Sequence, residues 1–116
     1  MSQPKDLIRL QHMLDYAREA LELMQGKPRN DLDSDRLLGL ALVRLMEMIG
    51  EAANRVSPEY QSAHASIPWS QIISLRNRLI HGYDAVDMDI LWEILGQDLP
   101  GLVAELESVI LRESGT

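Results

Sequence analysis

The chain has no cysteine and no phenylalanine, and aromatic residues make up only 4% of its 116 positions. Without cysteine, disulfides and thiolate-held metals are excluded. No apolar run approaches the roughly 20 residues of a membrane span, and no basic-then-apolar leader opens the chain. The expectation is a cytoplasmic protein with no membrane association. Positive charge is also scarce: 11 Lys and Arg stand against 18 Asp and Glu, a formal net charge of −7. That balance argues against a general nucleic-acid coat protein, which would be basic. There is no internal repeat, no phosphate-cradling glycine loop and no zinc-ligand spacing.

What is present is aliphatic. Hydrophobic residues make up 46% of the chain, carried by Leu, Ile, Val, Ala and Met. This is helix-bundle composition, and the length suits one domain over 1–116 with a proper core. The expected fold class is all-α, a four- to five-helix up-down bundle. Leu7, Leu10, Leu14, Ala17, Leu21 and Met24 alternate spacings of three and four, which predicts an amphipathic helix ending at Gly26. His12 and Tyr16 lie beside that stripe and read as packing or surface groups. Ser34 or Asp33 is the expected cap of a second helix running to about Arg55. That helix is apolar on more than one side, from Leu37 to Val56, as if a second copy of the chain covered part of it. Glu47, Glu51 and Arg55 form an i,i+4 ladder on it, with Arg44 three before Glu47, and read first as surface ion pairs.

Ser57-Pro58 reads as a cap followed by a first-turn proline. His64, in a polar connection, is expected to face solvent. Pro68 opens a helix expected to reach Gly82, where glycine readily ends a helix. Asp87 is the expected cap of the last helix. There Leu91, Leu95, Leu99, Leu102, Leu106 and Ile110 keep a stripe across Pro100, which predicts a kink or short break.

The stretch most suited to chemistry is Leu75 to Tyr83. From Tyr60 to Tyr83 there is no Asp or Glu, while Arg76, Arg78, His64 and His81 all fall there. Arg76 falls within an apolar stripe of Trp69, Ile72, Ile73, Leu79 and Ile80, where an unpaired cation is costly. Either an anion waits for it or a carboxylate such as Glu47 or Glu51 does. Asn77 and His81 are four apart on a shared face. His81, in a last helical turn, would be favoured as imidazolium by the helix dipole. Arg76 could hold a phosphate bidentately, and His81 could move a proton without any metal or cofactor. Tyr83 follows with a free phenol.

Arg76-Asn77, then His81 after four intervening residues, then Tyr83, resembles the signature of HEPN-domain proteins, and more closely that of HepT-like toxins. Leu42 to Arg55, Ile67-Pro68-Trp69 and Asp98-Leu99-Pro100 resemble that family in order and spacing. The resemblance implies a HEPN-like homodimer and a metal-independent endoribonuclease acting on RNA. It makes Arg76 and His81 catalytic and Asn77 a supporting polar group. It also implies a partner nucleotidyltransferase antitoxin that silences the toxin by adding AMP to Tyr83. Two other readings are open from the sequence. One is a non-catalytic nucleotide- or partner-binding subunit. The other is a helical dimerisation module in which Arg76 is a buried ion pair.

Overall fold

The computed structural model describes residues 4–81 and 85–114. Helix α1, Pro4–Met24, buries Leu10, Met13, Leu14, Ala17, Ala20 and Met24. It stops where expected, with Gly26 at φ 74°, a left-handed conformation that other residues rarely adopt. A short helix α2, Asp31–Ser34, follows, so neither Ser34 nor Asp33 caps the long helix. Asp35 does, accepting a hydrogen bond from the Leu38 amide at 3.1 Å. Helix α3, Arg36–Asn54, packs against α1 on one side. Leu42, Met46, Ile49 and Ala53 on it are buried, but Leu37 is 79% exposed, and Leu40 and Ala41 also face solvent.

Ser57 caps helix α4, Pro58–Ala63, as its sequence predicts. The cap is itself held by a group that the stripe of α1 does not reveal. Asp6 is buried, and its carboxylate accepts from the Ser57 amide at 2.9 Å and the Ser57 hydroxyl at 2.7 Å. A buried carboxylate is tolerated when it is hydrogen-bonded in this way. His64 does not face solvent. It is half-buried, stacks on Tyr60 with ring centroids 4.3 Å apart, and lies 3.0 Å from Glu113 near the end of the chain. Burial first, and then the Glu113 carboxylate, push the Tyr60 phenol up to about 12.

The segment opened by Pro68 is two short helices rather than one. Helix α5, Trp69–Ile73, and helix α6, Leu75–Leu79, are separated at Ser74. The Ser74 hydroxyl donates back to the Ser70 carbonyl at 2.8 Å, a local bond that competes with the helix ladder. After Leu79 the backbone extends, so the expected helix to Gly82 ends three residues early. Ile80–His81 form strand β1, which pairs antiparallel with strand β2, Ala85–Val86, in the register Ile80 to Val86 and His81 to Ala85. Gly82, Tyr83 and Asp84 lie outside the described residues.

Asp87 caps helix α7, Met88–Glu93, accepting from the amides of Asp89 and Ile90. The chain then makes a π-helical turn, Ile94–Asp98, and continues as helix α8, Leu99–Ser114. The Leu99 amide reaches back five residues to the Ile94 carbonyl. The wider turn lets the helix run through Pro100, which lacks an amide and would crowd the Gly96 carbonyl. The interruption expected at Pro100 is thus a π turn. Apart from the two-residue strands, the described chain is all-α and HEPN-like.

Helix α3 also packs against α5 and α6, and Gly50 sets how close they come. A Cβ built on Gly50 would lie 3.1 Å from the Ile72 carbonyl oxygen and 3.3 Å from that of Ile73. Both neighbours are backbone, so they cannot swing aside as a flexible side chain would. We predict that Gly50→Val lowers the unfolding free energy by about 1–3 kcal/mol through overpacking. Gly101→Ala, at an exposed α8 position with open space around it, raises stability by about 0.5–1 kcal/mol. Denaturant melts of the two variants check the pair; a Gly50→Val protein as stable as the parent would remove the steric argument.

Candidate functional site

The motif sits where α5–α6 meet α3 and turn into the small β pair. Leu75 and Leu79 are four apart and both buried, so they define the inward face of α6. Arg76 is one step around from that face and is 59% exposed. Its expected place inside an apolar stripe is therefore corrected: the buried stripe runs through Trp69, Ile72, Leu75 and Leu79, and Arg76 stands beside it. Ile73 and Ile80, counted in that stripe, are only partly buried.

Arg76 does find one of the two carboxylates expected of it. Its Nε donates to Glu47 Oε2 at 3.2 Å. Glu47 comes from α3, one turn before Gly50, so the close helix approach brings the carboxylate within reach. Exposed pairs of this kind contribute at most about 1 kcal/mol. A buried structural ion pair does not describe Arg76. The contact uses Nε and leaves the two terminal nitrogens outside it, a geometry compatible with bidentate contact to a phosphate. The guanidinium lines a cleft of about 140 Å³ with Glu47, Gly50, Glu51, Asn54 and Ile73. On α3 itself Arg44 reaches Glu51 at 3.7 Å rather than its nearer neighbour Glu47.

His81 lies on β1 and not in a last helical turn, so the dipole argument for it loses its geometry. The imidazole is 57% exposed, and its Nε2 is 3.9 Å from Asp87 Oδ2. Among the described residues Asp87 thus serves twice, as cap of α7 and as the carboxylate paired with His81. The link follows from the strand pairing, which returns the chain so that the Asp87 amide bonds the Leu79 carbonyl at 2.8 Å. Asn77 is exposed on α6. Among the described residues no hydrogen bond or ion pair joins Arg76, Asn77 and His81 directly; Arg76 and His81 each face their own carboxylate. Tyr83 lies outside the described residues.

Two further contacts tie distant segments to the motif. Arg78 pairs with Asp98 of the π turn at 3.1 Å. The indole of Trp69 donates to the His64 carbonyl at 3.0 Å, fixing the entry to α5. The segments that resemble HepT-like proteins therefore meet in space around α5 and α6. Sequence reasoning singled out Asp98-Leu99-Pro100 by its resemblance but missed the pairing of Asp98 with Arg78 and the link of Asp87 to His81. The signal for Asp98 was its place two residues before Pro100, where an interruption was expected; none was present for the strand pairing. Among the described residues no group of three or more His, Asp or Glu could hold a metal ion, and no helix is long and apolar enough to cross a membrane.

A family model, that of the HepT-like ribonucleases, matches residues 13–109. The chain belongs to the HepT-like ribonuclease family. It is 32% identical over 104 residues to "Putative RNase TTE0752" of Caldanaerobacter subterraneus, covering 90% of this chain and 93% of that one. It is 32% identical over 100 residues to "Probable ribonuclease HepT" of Thermococcus cleftensis, covering 83% and 91%. A relative from Methanocaldococcus jannaschii, "Putative RNase MJ1380", is 30% identical over 100 residues, covering 86% and 92%. No solved structure matches. Family and relatives together support an RNA-cleaving enzyme.

Proposed function

We propose that this HepT-like chain acts as one domain and is the toxin of a type II toxin–antitoxin pair, an endoribonuclease that works without metal. The observation that carries the reading is an exposed, permanently charged Arg76 held on Glu47, with an exposed His81 five residues on, in a ribonuclease family. Arg76 binds the scissile phosphate and stabilises the charge that builds on it. Asn77 orients the phosphate or the imidazole. The 2′-hydroxyl attacks phosphorus and the bond to the 5′-oxygen breaks, leaving a 2′,3′-cyclic phosphate and a 5′-hydroxyl. His81 moves the proton in that exchange. Nothing in this route requires a metal-bound water.

Two copies of the chain form the working unit in this reading. Support comes from the exposed apolar start of α3, Leu37 and Leu40, which the fold leaves uncovered. Sites composed from both copies would also explain why Arg76 and His81 face separate carboxylates within one chain. The expected result is RNA cleavage that persists in EDTA and is lost in Arg76→Ala and in His81→Ala, with mixing of the two inactive proteins restoring part of it. Cleavage by His81→Ala at the parental rate would overturn the chemistry, and failure of the mixture to recover would overturn the shared site. A folded protein that binds ATP but turns over no RNA would point instead to a binding subunit.

The antitoxin partner is a nucleotidyltransferase that transfers AMP from ATP to the Tyr83 phenol, with pyrophosphate leaving. Support rests on the position of Tyr83, two residues beyond His81. The added phosphate would compete with RNA for Arg76 and repel incoming backbone. Tyr83→Phe should retain cleavage and escape silencing when antitoxin and ATP are added. Normal silencing of that variant, with no AMP on the intact mass of the parent, would exclude the modification.

A further inference from the structure

The cations of this acidic protein are not all used in the same way. Arg18, Arg29 and Arg78 are each paired with a carboxylate from another element. Four others line one groove of about 490 Å³ between α1 and α3: Lys5, Arg9, Arg44 and Arg55. Among the described residues that line it, Glu51 is the one carboxylate, and it is already in contact with Arg44. Net positive charge is thus concentrated in one concave place on a chain of net charge −7, where a groove focuses the field.

The groove also carries aromatic surface. His12 and Tyr16, expected only as packing or surface groups, lie along its α1 wall with ring centroids 6.2 Å apart. Cations alternating with stacking platforms are what a single nucleic-acid strand needs: phosphates follow the charge and bases lie on the rings. From Arg44 to Arg55 the α3 wall runs about 16 Å at 1.5 Å per residue, enough for several phosphates. Glu51 lines both this groove and the cleft that holds Arg76. The two depressions are therefore the two flanks of α3, meeting at one residue.

We propose that the α1–α3 groove is the docking track for the RNA strand flanking the scissile bond, with Lys5, Arg9, Arg44 and Arg55 on the phosphates and Tyr16 beneath a base. The proposal rests on the RNA-cleavage reading but is tested by binding alone. Lys5 and Arg44 are exposed, so replacing them leaves the core untouched, whereas Arg9 also holds the Arg55 carbonyl at 2.7 Å. The experiment is titration of a fluorescein-labelled single-stranded RNA of about twenty nucleotides into full-length His81→Ala protein, with and without Lys5→Ala/Arg44→Ala, across a salt series. Because the RNA stays intact, the result does not depend on turnover.

The expected outcome is affinity about tenfold weaker at physiological salt in the double variant. The slope of log affinity against log salt should become shallower by about 1.4, two contacts at roughly 0.7 each for a single strand. Affinity within twofold and an unchanged slope would overturn the proposal. A double variant that loses self-association by sedimentation while keeping its RNA slope would make the groove a contact between copies, and that also overturns it. Equal competition by poly-glutamate and RNA of matched charge would assign it to an acidic protein segment instead.

Discussion

The structure depends on how closely α3 can approach the backbone of the motif segment. At Gly50 the carbonyl oxygens of Ile72 and Ile73 come within contact distance of where a side chain would begin. That approach places Glu47, one turn earlier on the same helix, within reach of Arg76. It also leaves α6 a narrow buried footing, Leu75 and Leu79, so that Arg76, Asn77 and Arg78 emerge on its outer side. A bulkier residue at 50 would separate α3 from α5 and move the carboxylate away from the guanidinium. The placing of Arg76 is therefore a product of helix packing, while His81 comes from strand β1.

Exposure is the property that makes the motif suitable for chemistry. A buried arginine would be committed to its partner, since breaking a desolvated pair is strongly destabilising. Arg76 sits in a pair worth little to the fold and can exchange one anion for another at small cost. His81 is held more loosely still, at 3.9 Å from Asp87. The rigidity comes from elsewhere: the Asp87 cap on α7, the hydrogen bond from its amide to Leu79, and the Arg78–Asp98 pair to the π turn. Groups that bear on stability and groups offered to a substrate thus alternate along the chain, with Arg78 standing between Asn77 and His81.

Much of this was legible in the sequence, because the long helices bury stripes that follow the 3.6-residue period. The extent of α1, the caps at Ser57 and Asp87, the interruption near Pro100 and the possible role of Glu47 all follow from local chemistry. Apart from the cap of α3, which is Asp35, and the placing of His64, the errors cluster around Ser74 to His81. Ser74-Leu75-Arg76-Asn77-Arg78-Leu79 is a good helical string, yet the structure divides it from α5 at Ser74, whose hydroxyl bonds the Ser70 and Gln71 carbonyls. The buried stripe keeps its spacing across Ser74 as Trp69, Ile72, Leu75 and Leu79, and counting Ile73 and Ile80 in it without Leu75 is what put Arg76 on the inside. The extended geometry of Ile80 and His81 depends on pairing with Ala85 and Val86, a contact that periodicity cannot show. His64 was misplaced for a related reason: Glu113, its partner, lies 49 positions away. Family membership was carried by the Arg76, Asn77, His81 and Tyr83 pattern together with its flanking segments. The comparisons establish the family, while the roles of those residues follow from the chemistry proposed here.

The central claim is that the RNA's own 2′-hydroxyl is the nucleophile, with His81 moving the proton and Arg76 holding the phosphate. The ends of the cleaved RNA report on this directly. Mass spectrometry of the fragments should show 2′,3′-cyclic phosphate, or the monophosphate it hydrolyses to, opposite a 5′-hydroxyl. Fragments ending in 3′-hydroxyl and 5′-phosphate would mean that water attacked phosphorus, and would contradict the account.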